Sequence, residues 1–443
     1  MNAEVGSVAV FAVGAVVTFV MTFAVRRATV SRGLVVMPDR ERVHTRPTPS
    51  LGGVAMAVGV VVAIVVAGQL DVFRPDFVNS TEPLGVLAAV GVMCLLGMVD
   101  DLRSVSPPAK VAGQVLAAMV LYFLGVTMSN FKVPFSQGYI VLSASILPLV
   151  TALWVIGIAN AVNLMDGLDG LAAGVVAIAS GTLCIYGLRL TNLGVLTSNN
   201  LGPVIAAACC GVCVGFLPHN FHRAKIFMGD TGAMVLGLLM AAATMEIGGR
   251  ASDVTSGTTY FFFAPLLVPF FILGVPILDT ALAVIRRAIR RSGVTERDLG
   301  HVHYRLMRLG HGHRRAVLLL WGWTLLLSGF VLYPTFFPNW NRALPFAVPV
   351  LAVALLTLFR PGRRRRLESG NDKLRDGDGD LPGSGADLEV RASSTQGAAL
   401  GAESDRLGQP AGGHGPAGDG VSDEAYRRVH RRRFARHHPP MRG

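Results

Sequence analysis

Residues 133–165 pass without one charged side chain, and runs of this kind recur along the chain. About 20 consecutive apolar residues are enough to cross a bilayer as a helix. Such runs fall at roughly 5–25, 51–70, 83–99, 111–131, 138–158, 171–188, 201–217, 232–247, 260–282, 316–333 and 343–359. Hydrophobic residues make up 51% of the chain and charged residues 15%, more apolar surface than a soluble core can bury. The expected fold is an all-α polytopic integral membrane protein with about 11 transmembrane helices. Pro265, Pro269 and Pro276 should kink or break the ninth. The first run has no basic segment before it and no clear cleavage site, so it is expected to stay as a helix.

Lys and Arg set the expected orientation. The even-numbered loops hold only Arg74, Lys132, Arg189, Arg250 and Arg342, while arginines crowd the odd-numbered ones. The odd loops should therefore be cytoplasmic, with the N-terminus outside. After residue 360 the composition turns to Gly, Asp, Ser and Ala. We expect a polytopic membrane domain over 1–360 and a disordered cytoplasmic tail over 361–443 with a basic end. Cys94, Cys184, Cys209, Cys210 and Cys213 all lie in apolar runs without zinc-ligand spacing, which suits buried, inert thiols. The net charge of +12 suits anionic lipid and phosphorylated substrates, and no nucleic-acid recognition module is visible.

Polar groups gather at the ends of these runs. The stretch NAVNLMDGLDG, residues 160–170, holds Asn160, Asn163, Asp166 and Asp169. Carboxylates and amides persist there mostly when they face a cavity or an aqueous boundary. If the segment is helical, Asn163 and Asp166 share a face, with Asp169 a turn further on. A plain helix stop made of Asn and Gly is the alternative. Asp100 and Asp101 end another uncharged run, where adjacent like charges call for a compensating cation. A divalent metal supplies that compensation and bridges carboxylates to phosphates. Lys110 and Gln114 open the next helix and can face the same place.

The loop NFHRAKIFMGDTG, residues 220–232, adds Asp230, with Asn220 and Phe227 as groups able to hydrogen-bond and stack. Arg40, Arg42, His44 and Arg46 precede Gly52–Gly53, where a helix N-terminus beside cations is a candidate phosphate site. The longest loop carries HVHYRLMRLGHGHRR, in which His301, His303, Arg305 and Arg308 can grip a diphosphate or a sugar. All these clusters fall on odd-numbered loops. That one-sidedness, without internal repeats, favours chemistry at a cytoplasmic interface over midplane transport.

Taken together and in this order, DD, NxxNxxDGxDG, FMGDTG and HxHxR resemble the polyprenyl-phosphate N-acetylhexosamine-1-phosphate transferase family, which also includes the phospho-MurNAc-pentapeptide translocase. The likeness covers roughly residues 35–325. It implies transfer of GlcNAc-1-phosphate from UDP-GlcNAc to polyprenyl phosphate, giving polyprenyl-diphosphate-GlcNAc and UMP. The HxHxR loop favours GlcNAc over MurNAc-pentapeptide; a non-catalytic transporter or lipid-binding relative is the alternative from another class. Mg²⁺ is implied, with Mn²⁺ as its substitute. By analogy Asp100, Asp101, Asp166 and Asp230 are the catalytic set, and Asp230 with Asp101 would hold the metal. Asp100 would deprotonate or orient the lipid phosphate, in direct attack. Asn163 would lie near the diphosphate, and Asp169, Asn220 and Phe227 would hold the uridine. His44, Lys110, His301, His303 and Arg305 would meet phosphate or sugar. Tyr304, Ser50, Arg223 and Ala233 depart from residues frequent in relatives, and none of them removes a carboxylate. The implied partners are a UDP-sugar, a polyprenyl phosphate, the membrane and a second copy of the chain, in the plasma membrane of a bacterium.

Overall fold

The computed structural model describes residues 2–36, 47–132, 139–197, 199–248 and 312–337, with 349 and 353. His44, His301, His303, Arg305, the run at 260–282, all of the run at 343–359 except residues 349 and 353, and the tail from 361 lie outside the described residues. In chain order come α1 (Ala3–Ser31), β1 (Val35–Val36), β2 (Thr48–Pro49), α2 (Gly52–Ala67), α3 (Arg74–Asn79), α4 (Glu82–Arg103) and α5 (Pro107–Phe123). They are followed by β3 (Asn130–Lys132), β4 (Tyr139–Val141), α6 (Leu147–Met165), α7 (Leu171–Asn192), α8 (Gly202–Asn220) and α9 (Gly229–Gly248). The last described helix, α10, is His313–Phe336. Among the described residues, seven helices are long and apolar enough to cross a membrane, and α2 is a shorter apolar one. The chain is thus a mostly helical, multi-pass membrane protein. Two antiparallel ribbons, β1–β2 and β3–β4, modify the all-α expectation.

The bundle is built around α9, whose apolar window is wholly buried. Its small residues explain this. Without a hydrophobic force between helices in lipid, small side chains let backbones approach closely. A Cβ on Gly237 would collide with the Ala159 backbone of α6. A Cβ on Gly53 would meet the backbone of Gly232, and one on Gly97 the backbone of Thr231. Helices α2, α4 and α6 are therefore seated directly on α9. On the flank, Gly211 and Gly215 bring α8 against the carbonyls of Phe11 and Ala15 in α1. The outer face of α1 leaves Val8, Val16, Phe19, Val20 and Phe23 exposed, as a lipid-facing helix requires.

Two boundaries differ from expectation. The span placed at 138–158 starts at Leu147 and continues to Met165. Hydropathy cannot place a start inside an uncharged run; the β3–β4 ribbon occupies the beginning of it, and Pro148 then opens the helix. The span placed at 111–131 is α5, which begins at Pro107 and stops before Gly125, where φ is +98°.

Asp76 sits in α3, outside the spans, and its residue is 5% exposed. Burial, then the charge of Glu82, pushes its carboxyl up to about 6. A raised folded-state value means the folded chain holds the proton more tightly, so stability falls as pH climbs from the ordinary carboxylate range to about 6. Asp76→Asn should raise the melting temperature in detergent at pH 7 and leave it unchanged at pH 4. Equal shifts at both would contradict this.

Candidate active site

Helix α4 delivers Asp100 and Asp101 from its last turn, and α9 delivers Asp230 from its first. The joint between them is a cap supplied across the fold. Asp101 Oδ1 accepts the Asp230 N–H at 2.8 Å, and Oδ2 accepts the Thr231 N–H at 3.1 Å and the Thr231 hydroxyl at 2.6 Å. A carboxylate at a helix N-terminus satisfies donors that have no partner within the helix and meets the positive end of its dipole. Gly229 precedes with φ +69°, and a Cβ there would press into the Asp101 carboxylate. Glycine is required on both counts.

Lys110, in the first turn of α5, bridges the other two carboxylates. Its Nζ lies 2.7 Å from Asp100 Oδ2 and 3.2 Å from Asp230 Oδ2. The Val105 N–H also donates to Asp100, at 2.7 Å. The side-chain oxygens of Asp100 and Asp230 come within hydrogen-bonding reach of each other. Asp166 adds a fourth carboxyl. Burial, then Asp230, Asp101 and Asp169, push it up to about 8. One ammonium thus bridges two carboxylates of a cluster of four carboxyl groups in a poorly solvated place. The donor set is oxygen throughout, which fits a hard divalent cation. A cation there would reverse the upward pressure on Asp166.

The expected helical face over 160–170 does not form. Helix α6 ends at Met165 and Asp166 is its C-cap, followed by a tight turn in which the Gly167 N–H reaches the Met165 carbonyl at 2.7 Å. Asp166 therefore turns toward α9, while Asp169 belongs to the next segment. Asn160, by contrast, looks into the bundle: its Nδ2 donates to Gln114 Oε1 at 2.9 Å. Gln114 is 0% exposed, so it locks α5 to α6 instead of lining the carboxylate cluster.

Around the neighbouring end lie the groups matched to uridine. Asn220 is 2% exposed. Its Oδ1 accepts the Gly170 N–H at 2.9 Å and its Nδ2 donates to the Ile226 carbonyl at 3.0 Å. It braces the turn bearing Asp169 to the loop bearing Phe227. That loop forms a further joint with α2: Gly52 and Gly53 donate to the carbonyls of Phe227 and Met228, both at 2.9 Å, and Phe227 N–H donates to Pro49 at 2.9 Å. The first N–H groups of α2 are thus occupied by backbone. The phosphate site expected there is a structural joint instead.

Two residues in this region carry no sequence-based assignment. His222 Nδ1 lies 3.3 Å from Asp169 Oδ2, and His313 Nε2 lies 3.9 Å from the same atom. The only advance signal was position: FHRAK and HGHRR each abut an apolar run. Asn163 stands half-buried on the last turn of α6.

The model of glycosyl transferase family 4 matches residues 83–248, the segment that supplies Asp100, Asp101, Lys110, Asp166 and Asp230. The chain is 37% identical over 359 residues to decaprenyl-phosphate N-acetylglucosaminephosphotransferase of Mycolicibacterium smegmatis, covering 79% of this chain and 87% of that one. It is 38% identical to the protein of the same name in Mycobacterium tuberculosis, over 79% and 88% of the two chains. Phospho-N-acetylmuramoyl-pentapeptide-transferase of Desulforudis audaxviator is 34% identical, over 63% of this chain and 82% of that one. The match runs through every element that carries the clustered carboxylates, and the chain belongs to glycosyl transferase family 4.

Proposed function

We propose that the chain transfers GlcNAc-1-phosphate from UDP-GlcNAc to a polyprenyl phosphate, giving polyprenyl-diphosphate-GlcNAc and UMP. The clustering of Asp100, Asp101, Asp166 and Asp230, two of them bridged by Lys110, carries this reading. The names of the mycobacterial relatives support the donor sugar and the lipid class.

Phosphoryl transfer needs positioning and charge neutralisation more than covalent help. A lipid phosphate monoester, with a second pKa of about 6, is largely dianionic at neutral pH and needs little activation. One of its oxygens attacks the β-phosphorus of the donor. The bond from that phosphorus to the α,β-bridging oxygen breaks, and UMP leaves with the oxygen. Asp100, fixed by Val105 and Lys110, orients the incoming lipid phosphate. Lys110 meets phosphate oxygens through the same ammonium that holds Asp100 and Asp230. Asp230 and Asp101 are the residues assigned to Mg²⁺, with Asp166 beside them. A divalent ion held there would supply neutralisation of the diphosphate's charge. Asp101 keeps lone-pair capacity on Oδ1 while its cap fixes Asp230. Asp169 and Phe227 face the uridine, on loops held by Asn220. Asn163 stands toward the diphosphate.

The clustered end is assigned to the cytoplasm of a bacterial plasma membrane, with the N-terminus outside and about eleven helices in all. Arg26, Arg27, Arg103, Lys110, Arg223, Lys225, Arg314 and Arg315 flank that end, as the positive-inside tendency requires. His44, His301, His303 and Arg305 are assigned to phosphate or sugar on sequence alone.

Purified protein in detergent, with polyprenyl phosphate and Mg²⁺, should release UMP from UDP-GlcNAc, lose that activity to a chelator and regain it with Mg²⁺. Release from UDP-MurNAc-pentapeptide alone would move the chain to the other branch. Folded protein that releases UMP from neither donor would refute the reading.

A further inference from the structure

Two separate segments close on one carboxylate oxygen. Asp169 Oδ2 accepts the Ala224 N–H at 3.1 Å, has His222 Nδ1 at 3.3 Å and His313 Nε2 at 3.9 Å. The two imidazoles lie against each other, with ring centroids 4.5 Å apart and 30° between planes. This arrangement is held from behind. Arg314 Nη2 donates to the His222 carbonyl at 3.3 Å. Further along α10, Trp321 packs on Phe221 at 5.7 Å and fills the space over Gly174 of α7, where a Cβ would collide with the indole. Farther on still, Arg189 Nε donates to the Thr335 carbonyl at 3.3 Å. Helices α7 and α10 therefore run side by side in the same direction, and His313 is delivered to Asp169 by their common packing.

The His313 side chain is 10% exposed, yet neither ring nitrogen has a hydrogen-bond partner among the described residues. A buried donor left without a partner is costly. Asp169 neighbours it, with Oδ2 at 3.9 Å.

We propose that His222 and His313 are positioning residues that clamp Asp169 through Oδ2 and so present its other oxygen as a fixed acceptor for the nucleobase. The inference rests on the reading in which Asp169 faces uridine. The terminal torsion of an aspartate is broad, so an unclamped carboxylate would sample many directions. A fixed acceptor suits uracil, whose N3 carries a proton, and opposes cytosine, whose N3 is itself an acceptor. The clamp thus sets affinity for the donor's uridine half and discrimination between pyrimidines.

A metal centre is the competing chemistry. The three ligand atoms lie within 4.8 Å of one another, and two imidazoles with a carboxylate suit a borderline ion such as Zn²⁺. Asp169 Oδ2, however, already takes hydrogen bonds from the Ala224 N–H and from His222, and His313 stands at ion-pair distance from it. That is the pattern of a carboxylate held by protein donors.

The test compares His313→Ala, His313→Gln and Asp169→Asn, alone and combined, in the full chain. Three quantities are read: KM and kcat for UDP-GlcNAc, inhibition by UMP against CMP, and the melting-temperature rise produced by each nucleotide. Loss of one charge-assisted contact predicts a KM roughly tenfold higher for His313→Ala with kcat within about twofold. Preference for UMP over CMP should fall in parallel. His313→Gln, which keeps a donor, should recover most of both, and His313→Ala should add nothing in the Asp169→Asn background. Unchanged KM and preference, a loss confined to kcat, full additivity with Asp169→Asn, or stoichiometric transition metal in the purified protein would overturn the clamp. If the parent chain turned over no UDP-GlcNAc, the functional reading would fail by itself. The nucleotide-induced melting shifts would still decide the clamp.

Discussion

Asp230→Asn should reduce UMP release by roughly a thousandfold or more while leaving the protein folded. The amide has the same shape as the carboxylate, so the first turn of α9 keeps its cap from Asp101, which binds the residue through its backbone N–H. Lys110 keeps Asp100 at 2.7 Å. What disappears is one negative charge in the oxygen set assigned to the metal, and with it the site's ability to gather positive charge where the diphosphate must be neutralised. Removing a charge from a crowded carboxylate cluster also relieves repulsion. The melting temperature of the metal-free protein should hold or rise, and added Mg²⁺ should no longer shift it. Near-normal turnover in Asp230→Asn would remove this residue from the catalytic set.

The second large effect is steric. Substituting Ala at Gly53 or Gly97 should lower activity about a hundredfold or deplete the folded protein. A Cβ at either position meets the backbone of α9's first turn, at Gly232 or Thr231, and no side chain there can rotate away. Helix α2 or α4 would have to retreat. Retreat of α4 carries Asp100 and Asp101 away from Asp230, and a displacement near 1 Å is enough to cost about a hundredfold in a positioned reaction. Gly91, on the same helix, has open space where a Cβ would go. Gly91→Ala is therefore the control and should retain activity. Comparable losses in all three would show that helix propensity or insertion, not contact with α9, sets the effect.

The carboxylates were legible because lipid makes charge conspicuous. Asp100, Asp101, Asp166 and Asp230 each stand at the end of an apolar run, and that position forecast a boundary site. Their partners were not legible. Asp101 is assigned to the metal by resemblance, and that three donors from Asp230 and Thr231 also converge on it is a relation across 129 residues that no local pattern encodes. Gln114 and Asn160 looked like site residues and instead bond to each other inside the bundle. The Gly52–Gly53 turn looked like an anion site, but the carbonyls of Phe227 and Met228 already take its N–H groups. In each case the sequence told the cost of burying a polar group and left its partner to tertiary packing. The start of α6 was hidden for the opposite reason: with no charge from 133 to 165, nothing distinguished ribbon from helix.

Transfer of a sugar phosphate, as opposed to a sugar, is tested most directly with UDP-GlcNAc radiolabelled at the β-phosphorus. After reaction with polyprenyl phosphate and Mg²⁺, the label should move into the lipid fraction and the released nucleotide should be unlabelled UMP. Label appearing in free UDP, with unlabelled lipid carrying GlcNAc, would place bond cleavage at the sugar carbon and contradict the mechanism.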